Sequence, residues 1–265
     1  MARIELNYFS QALGRGTDVT ILLPGDGPAM AFAQNPFYER PCKTLFLLHG
    51  FYGCHLDWPL NTCANQLATD YNLAIVCPSG ENSFYLNQKG SYNAYDTFVG
   101  VELVDYVRKN FNIALTPEDT FIGGLSMGGY GAIHLGLAHP ESFGKIIALS
   151  SALIYREVAG MKPGTGNAVA DYDYYFQTFG APETLMEREA NPEKQLLDLK
   201  AAGGKIPDIF MAVGTDDMLR DLNRVLRDFF VSEDVPVVYY ESPGIHDWKF
   251  WNEYLEPSIR WALEL

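Results

Sequence analysis

Cysteine is scarce in this chain: four in 265 residues, all in the first third, at Cys42, Cys54, Cys63 and Cys77. No two of them form a CxxC pair, which argues against both a disulfide framework and a structural zinc site. Basic residues are also few, with 19 Lys and Arg against 33 Asp and Glu, a net charge of −14. Nucleic acid and anionic membrane surfaces reward basic patches, so neither is an expected partner. No apolar run approaches the roughly 18–20 residues that span a bilayer. The first ten residues, MARIELNYFS, place no basic segment before a sustained apolar stretch, so no secretory signal is visible. Reduced thiols in a cytoplasmic setting are the expectation. Internal repeats and low-complexity tracts are missing too. What is present is a composition 48% hydrophobic and 14% aromatic, enough to bury a substantial core.

The apolar residues fall into alternating short runs and helical periods. Ile4–Ser10 and Asp18–Leu23 read as two strands joined at a turn holding Gly14, Arg15 and Gly16. Thr44–Leu48 and Leu73–Cys77 are compact buried-strand runs, and 97–110 carries Val101, Val104, Tyr106 and Val107 at mainly helical spacing. Asp119–Ile122 predicts a strand, Met127–Ala138 a helix closed by His139-Pro140, and Lys145–Ser150 a further strand. Ile209–Val213 and Val235–Tyr240 predict the last two strands, separated by a helix over Leu219–Phe230 and followed by one over Asp247–Leu263. This alternation predicts an α/β architecture: a mostly parallel sheet covered on both faces, with the two leading strands as an antiparallel edge. Residues 154–204 break the rhythm, being rich in Gly and Pro at first and then aromatic. They read as a cap-like insertion within one domain spanning 1–265.

The stretch Gly123-Gly124-Leu125-Ser126-Met127-Gly128-Gly129 is the richest in chemistry. Gly124-x-Ser126-x-Gly128 is the pattern of a nucleophile elbow, and its required context, a strand before and a helix after, is met. A serine hydroxyl needs a base to take its proton and a group to orient that base. His246 lies directly after the last predicted strand and before the last helix, whereas His49, His55, His134 and His139 lie in less suitable places. The orienting carboxylate should follow the penultimate strand, where Asp216 and Asp217 stand side by side. Residue chemistry leaves these two even, one of them being free to cap the next helix. An oxyanion hole needs two backbone N–H groups, expected from Met127 after the serine and from Phe51 in His49-Gly50-Phe51-Tyr52-Gly53.

Taken together these motifs resemble the esterase D branch of the α/β-hydrolases, particularly the tributyrin esterase-like proteins. The resemblance runs from about Thr44 to Trp261. It rests on Leu48-His-Gly-Phe-Tyr-Gly53 with Trp58 beyond it, on Gly123–Gly131, on Gly214-Thr-Asp-Asp-Met-Leu219 and on Gly244-Ile-His-Asp-Trp248. It implies an α/β-hydrolase fold, favours Asp217 over Asp216, agrees with Phe51 and Met127 as oxyanion donors, and suggests a homo-oligomer. The same broad group includes S-formylglutathione hydrolases, acetyl and feruloyl esterases of decorated carbohydrate, and mycolyltransferases. Where the formylglutathione enzymes carry a Leu-Thr-Cys stretch, this chain has Phe51-Tyr52-Gly53, with Cys54 one place later.

The expectation is a serine carboxylesterase that hydrolyses small, short-chain acyl esters through an acyl-enzyme, with Ser126, Asp217 and His246 as its catalytic set. The chemistry calls for no metal and no organic cofactor. Tyr52 and Trp58 are the expected substrate-binding aromatics. Two rivals share the sequence features: an acyltransferase using the same acyl-enzyme, and a non-catalytic binding protein on the same scaffold.

Overall fold

A computed structural model describes all residues, Met1–Leu265. Eight strands form one sheet in the order β1-β2-β4-β3-β5-β6-β7-β8. They are β1 (Ala2–Ser10), β2 (Arg15–Leu23), β3 (Lys43–Leu48), β4 (Leu73–Pro78), β5 (Thr120–Leu125), β6 (Lys145–Leu149), β7 (Asp208–Gly214) and β8 (Val237–Ser242). β2 runs antiparallel to both β1 and β4, and every later pairing is parallel.

The central strands are continuous apolar runs because both of their faces are covered. Successive side chains point to opposite faces, so each run feeds two cores. Phe46, Leu48, Ala74, Val76, Ile146, Ala148, Ile209 and Met211 face one core. Leu45, Leu47, Leu73, Ile75, Ile147, Leu149, Phe210 and Ala212 face the other. The larger core is covered by α1 (Leu103–Phe111), α2 (Met127–Ala138) and α5 (Arg220–Ser232), while α6 (Trp248–Ala262) closes the smaller one. Between β6 and β7 the chain forms α3 (Tyr172–Phe179) and α4 (Pro192–Ala201). Tyr175, Phe179, Leu185 and Leu196 of this excursion join the larger core, with Phe179 packed against Phe84 and Tyr130.

Several expectations shift in detail. The stretch read as one helix over 97–110 contains a π turn at Phe98–Glu102 before α1. Gly16, expected in the first turn, lies inside β2, and the turn itself is Gln11–Gly14, with Ser10 paired to Arg15. β8 begins at Val237 rather than Val235, since Pro236 has no N–H to give a ladder. Two short helices, Asp57–Asn61 and Ala64–Asp70, follow β3 without having been expected. No helix is long and apolar enough to cross a membrane.

Candidate active site

β5 ends at Leu125 and α2 begins at Met127, which leaves Ser126 alone on the turn between them. Its backbone sits at φ 53° and ψ −117°, a conformation disfavoured for any residue with a side chain. Neighbouring bonds hold it there. Ser126 N–H donates to Leu149 O at 2.9 Å, and Ser126 O accepts from Ala152 N–H at 2.9 Å and Tyr130 N–H at 3.1 Å. The flanking glycines are required by close approach: a Cβ on Gly128 would collide with the carbonyls of Leu48 and His49, and one on Gly124 with the carbonyl of Gly128.

The loop after β8 brings His246 to this turn, with Nε2 at 3.0 Å from Ser126 Oγ. On the other side of the ring, Nδ1 lies 2.9 Å from Asp217 Oδ2 and 3.1 Å from Oδ1. Asp217 follows β7, and its carboxylate is fully buried, while neighbouring Asp216 is exposed. Asp217 Oδ1 also accepts Leu219 N–H at 2.8 Å, so one carboxylate both organises the start of α5 and meets the imidazole. Burial by itself would raise the Asp217 pKa. The hydrogen bonds from His246 and from Leu219 N–H outweigh it and hold the group below the usual carboxylate range. Trp251 stands edge-on to His246, 5.0 Å between centroids, and walls one side of the ring.

In the loop after β3, Tyr52 N–H donates to Asn82 Oδ1 at 2.8 Å and Gly53 N–H to Gly50 O at 3.1 Å. Phe51 N–H, between them, has no acceptor in the protein, and neither has Met127 N–H at the start of α2. Gly50 packs directly on Leu125 and Ser126, so both free N–H groups flank the serine.

A cavity of about 390 Å³ opens over these groups. Ser126, His246, Phe51, Met127 and Tyr52 line it, and so do Phe84, Ile154, Val169 and Met218. Trp58, expected to touch substrate, does not. It is buried behind the site, donates Nε1–H to Leu48 O at 2.9 Å, and packs edge-on against Trp248, 5.4 Å between centroids. Trp248, its neighbour, is the tryptophan on the cavity wall, together with Trp251.

The family described as "Putative esterase" matches residues 10–262. The acetyl esterase of Caldicellulosiruptor saccharolyticus is 42% identical over 261 residues, covering 98% of each chain. This chain belongs to that esterase family.

Among solved structures, the esterase is similar to the fluorophosphonate-binding serine hydrolase FphF of Staphylococcus aureus. The TM-score is 0.84 at 28% identity, over 99% of this chain and 98% of that one. It is also similar to the S-formylglutathione hydrolase FrmB of the same organism, with TM-score 0.82 at 26% identity over 99% and 98%. The fold is that of the α/β-hydrolases.

Two residues around the site of this esterase, Asn82 and Asp57, escape sequence reasoning, and a third, His49, is legible only as part of the oxyanion loop. Asn82 clamps the Phe51–Gly53 turn through Tyr52, and its own carbonyl accepts Tyr174 Oη–H from α3 at 2.6 Å. His49 lies under the same turn and is buried, which pushes its pKa down and keeps the ring neutral. Asp57 lines the cavity as a carboxylate with no cationic partner. An Asn in a loop or an Asp at a helix start gives no signal in one sequence that separates these roles from ordinary turn chemistry.

Proposed function

We propose that this esterase is a serine carboxylesterase for short acyl esters, with Ser126 as nucleophile, His246 as general base and acid, and Asp217 as the orienting carboxylate. The observation that carries the reading is the continuous line from Asp217 through His246 Nδ1 and Nε2 to Ser126 Oγ, at 2.9 and 3.0 Å, on the wall of a cavity. Asp217, ionised and accepting from Nδ1–H, leaves Nε2 as the nitrogen that takes the serine proton. Oγ then bonds to the ester carbonyl carbon. The Phe51 and Met127 N–H groups donate to the oxygen that becomes negative. Collapse breaks the bond to the alcohol, which leaves with the proton held by His246. Water, deprotonated by the same ring, releases the acyl group and restores the serine.

The cavity supports short acyl chains. Its walls are largely apolar, and Phe84, Ile154 and Met218 bound it at a volume near the lower end for small-molecule sites. The similarity to an acetyl esterase points the same way. Residues 154–204 act in this reading as a cap on a single domain, presenting Ile154 and Val169 to the cavity. Four free thiols suit a reducing, cytoplasmic setting, and the substrate is a small ester with no nucleic acid or membrane partner. Tributyrin and other short-chain glycerides fall within the expected range, and the reading includes a homo-oligomer.

The test is a series of p-nitrophenyl esters from acetate to octanoate, run on the wild type and on Ser126→Ala. Wild-type kcat/KM should peak at acetate to butyrate and fall beyond, and the variant should retain less than about 0.1% of it. Turnover that survives the substitution overturns the assignment.

A further inference from the structure

We infer that Asp57 sets the charge preference of the site, so that the esterase favours neutral, hydroxyl-bearing alcohol portions and turns away substrates carrying a carboxylate near the scissile bond. The inference rests on the serine esterase reading above and adds a substrate class to it.

Sixteen residues line the catalytic cavity, of which twelve are hydrophobic. Apart from Gly50 and the reacting pair Ser126 and His246, the remaining one is Asp57. A carboxylate on an otherwise apolar wall normally has a cation or several donors to compensate it. Asp57 has neither. No Lys, Arg or His stands within ion-pair distance, and Oδ1 meets only the Cys54 thiol, a weak donor, at 3.6 Å. Nor is the carboxylate a helix cap, since no backbone N–H of the Asp57–Asn61 helix donates to it. Oδ2 packs against Gly53, where a Cβ would find no room, and so the carboxylate sits against the very turn that offers Phe51 N–H.

That placement works against the chemistry in one respect. The reaction builds negative charge on the substrate oxygen, and a nearby fixed carboxylate repels it. The repulsion is common to every ester, so it cannot select among them. A second negative charge on the substrate adds a term that neutral substrates escape, and the apolar cavity walls screen it less than bulk solvent would. A hydroxyl on the alcohol side, by contrast, finds in Asp57 an acceptor with unused lone pairs. The chain's net charge of −14 acts in the same direction at long range. Glutathione thioesters carry carboxylates, so they fall on the disfavoured side, and acylated sugars and polyols on the favoured side.

The experiment uses two substrates with the same reacting acetate, 4-acetoxybenzoate and its methyl ester, which differ in one charge. Each kcat/KM is normalised to the substrate's own hydroxide-catalysed rate, at low and at high ionic strength. Wild type should prefer the methyl ester by about tenfold at low salt, with the preference narrowing as salt is raised. Asp57→Asn should shrink the low-salt preference to about twofold or less. In a second arm, Asp57→Ala should lower kcat/KM for glycerol monoacetate relative to ethyl acetate, while Asp57→Asn, which keeps an acceptor, should preserve that ratio.

A preference equally large in Asp57→Asn would overturn the inference, as would S-formylglutathione turned over as fast as the neutral esters once each rate is normalised to the substrate's own hydroxide-catalysed rate. If Asp57→Asn fails to fold, Asp57→Ala read on the same pair of acetates takes its place, and an undiminished low-salt preference there overturns the inference. Failure of wild type to hydrolyse either acetate would overturn the esterase reading instead.

Discussion

Gly80 N–H donates to His49 Nε2 at 2.8 Å, and this bond dictates what the opposite nitrogen does. An accepting Nε2 leaves the proton of the neutral ring on Nδ1, which then donates to Gly50 O at 2.7 Å. Gly50 C=O and Phe51 N–H belong to one planar trans peptide, so fixing the carbonyl fixes the N–H that points the opposite way. Replacing His49 by Phe should therefore lower kcat on p-nitrophenyl acetate by about ten- to a hundredfold, with KM changing less. A parallel fall in affinity for a boronic acid transition-state analogue checks that the loss lies in oxyanion binding.

Asn82 holds the same turn from the outside. Its Oδ1 takes Tyr52 N–H, and its carbonyl takes the Tyr174 hydroxyl of the insertion. Asn82→Ala should lower kcat about tenfold, and Asn82→Asp, which keeps an acceptor, should recover most of it. Tyr174→Phe should cost less, because it loosens the insertion without freeing the turn. Steady-state kinetics on the three variants give the ranking.

Gly128→Ala should fail for a steric reason. The new methyl would enter the space of two backbone carbonyls, Leu48 and His49, neither of which can rotate away like a side chain. A loss of about 2 kcal/mol or more in urea unfolding is expected, with activity lost alongside.

Far from the serine, at the other end of α2, Asp96 accepts from His134 Nε2 at 2.8 Å and from His139 Nε2 at 2.9 Å. Burial would raise the Asp96 pKa, yet the two imidazoles hold it well below the carboxylate range. Burial likewise opposes charge on His139, but Asp96, with Glu141 beyond it, raises its pKa above the ordinary 6.5. The stabilisation that the ionised Asp96 gives is present above about pH 4 and is lost as pH falls through the depressed folded pKa. The stabilisation from charged His139 is complete below 6.5 and is lost as pH rises through its raised folded pKa. Asp96→Ala should lower Tm at every pH, by about 5 °C or more near pH 5.5 and by less at pH 8.5. Thermal melts at the two pH values check both the sign and the window.

Much of the fold is legible in the sequence because its signals are local. The buried strands announce themselves as unbroken apolar runs, and Met127–Ala138 coincides with α2 because Ser126 and His139-Pro140 bound it. His246 was legible from its place after the final strand. Asp217 was not separable from Asp216 by chemistry, since both follow β7 and only the direction of each side chain differs. Trp58 misled because an aromatic beside a motif looks like a ligand contact, whereas its burial depends on how the chain after β3 folds back. The helices at Asp57–Asn61 and Ala64–Asp70 are too short to show a period. α4 did carry a start signal, Asn191 as cap and Pro192 in the first turn, inside a segment whose loop-like composition hid it.

The central claim is that Ser126 is the nucleophile, and a fluorophosphonate probe tests it most directly. Wild type treated with the probe and digested should yield a single stoichiometric adduct on the peptide holding Ser126, formed in step with loss of esterase activity. An adduct on any other residue, or full inactivation with Ser126 unmodified, would contradict the account.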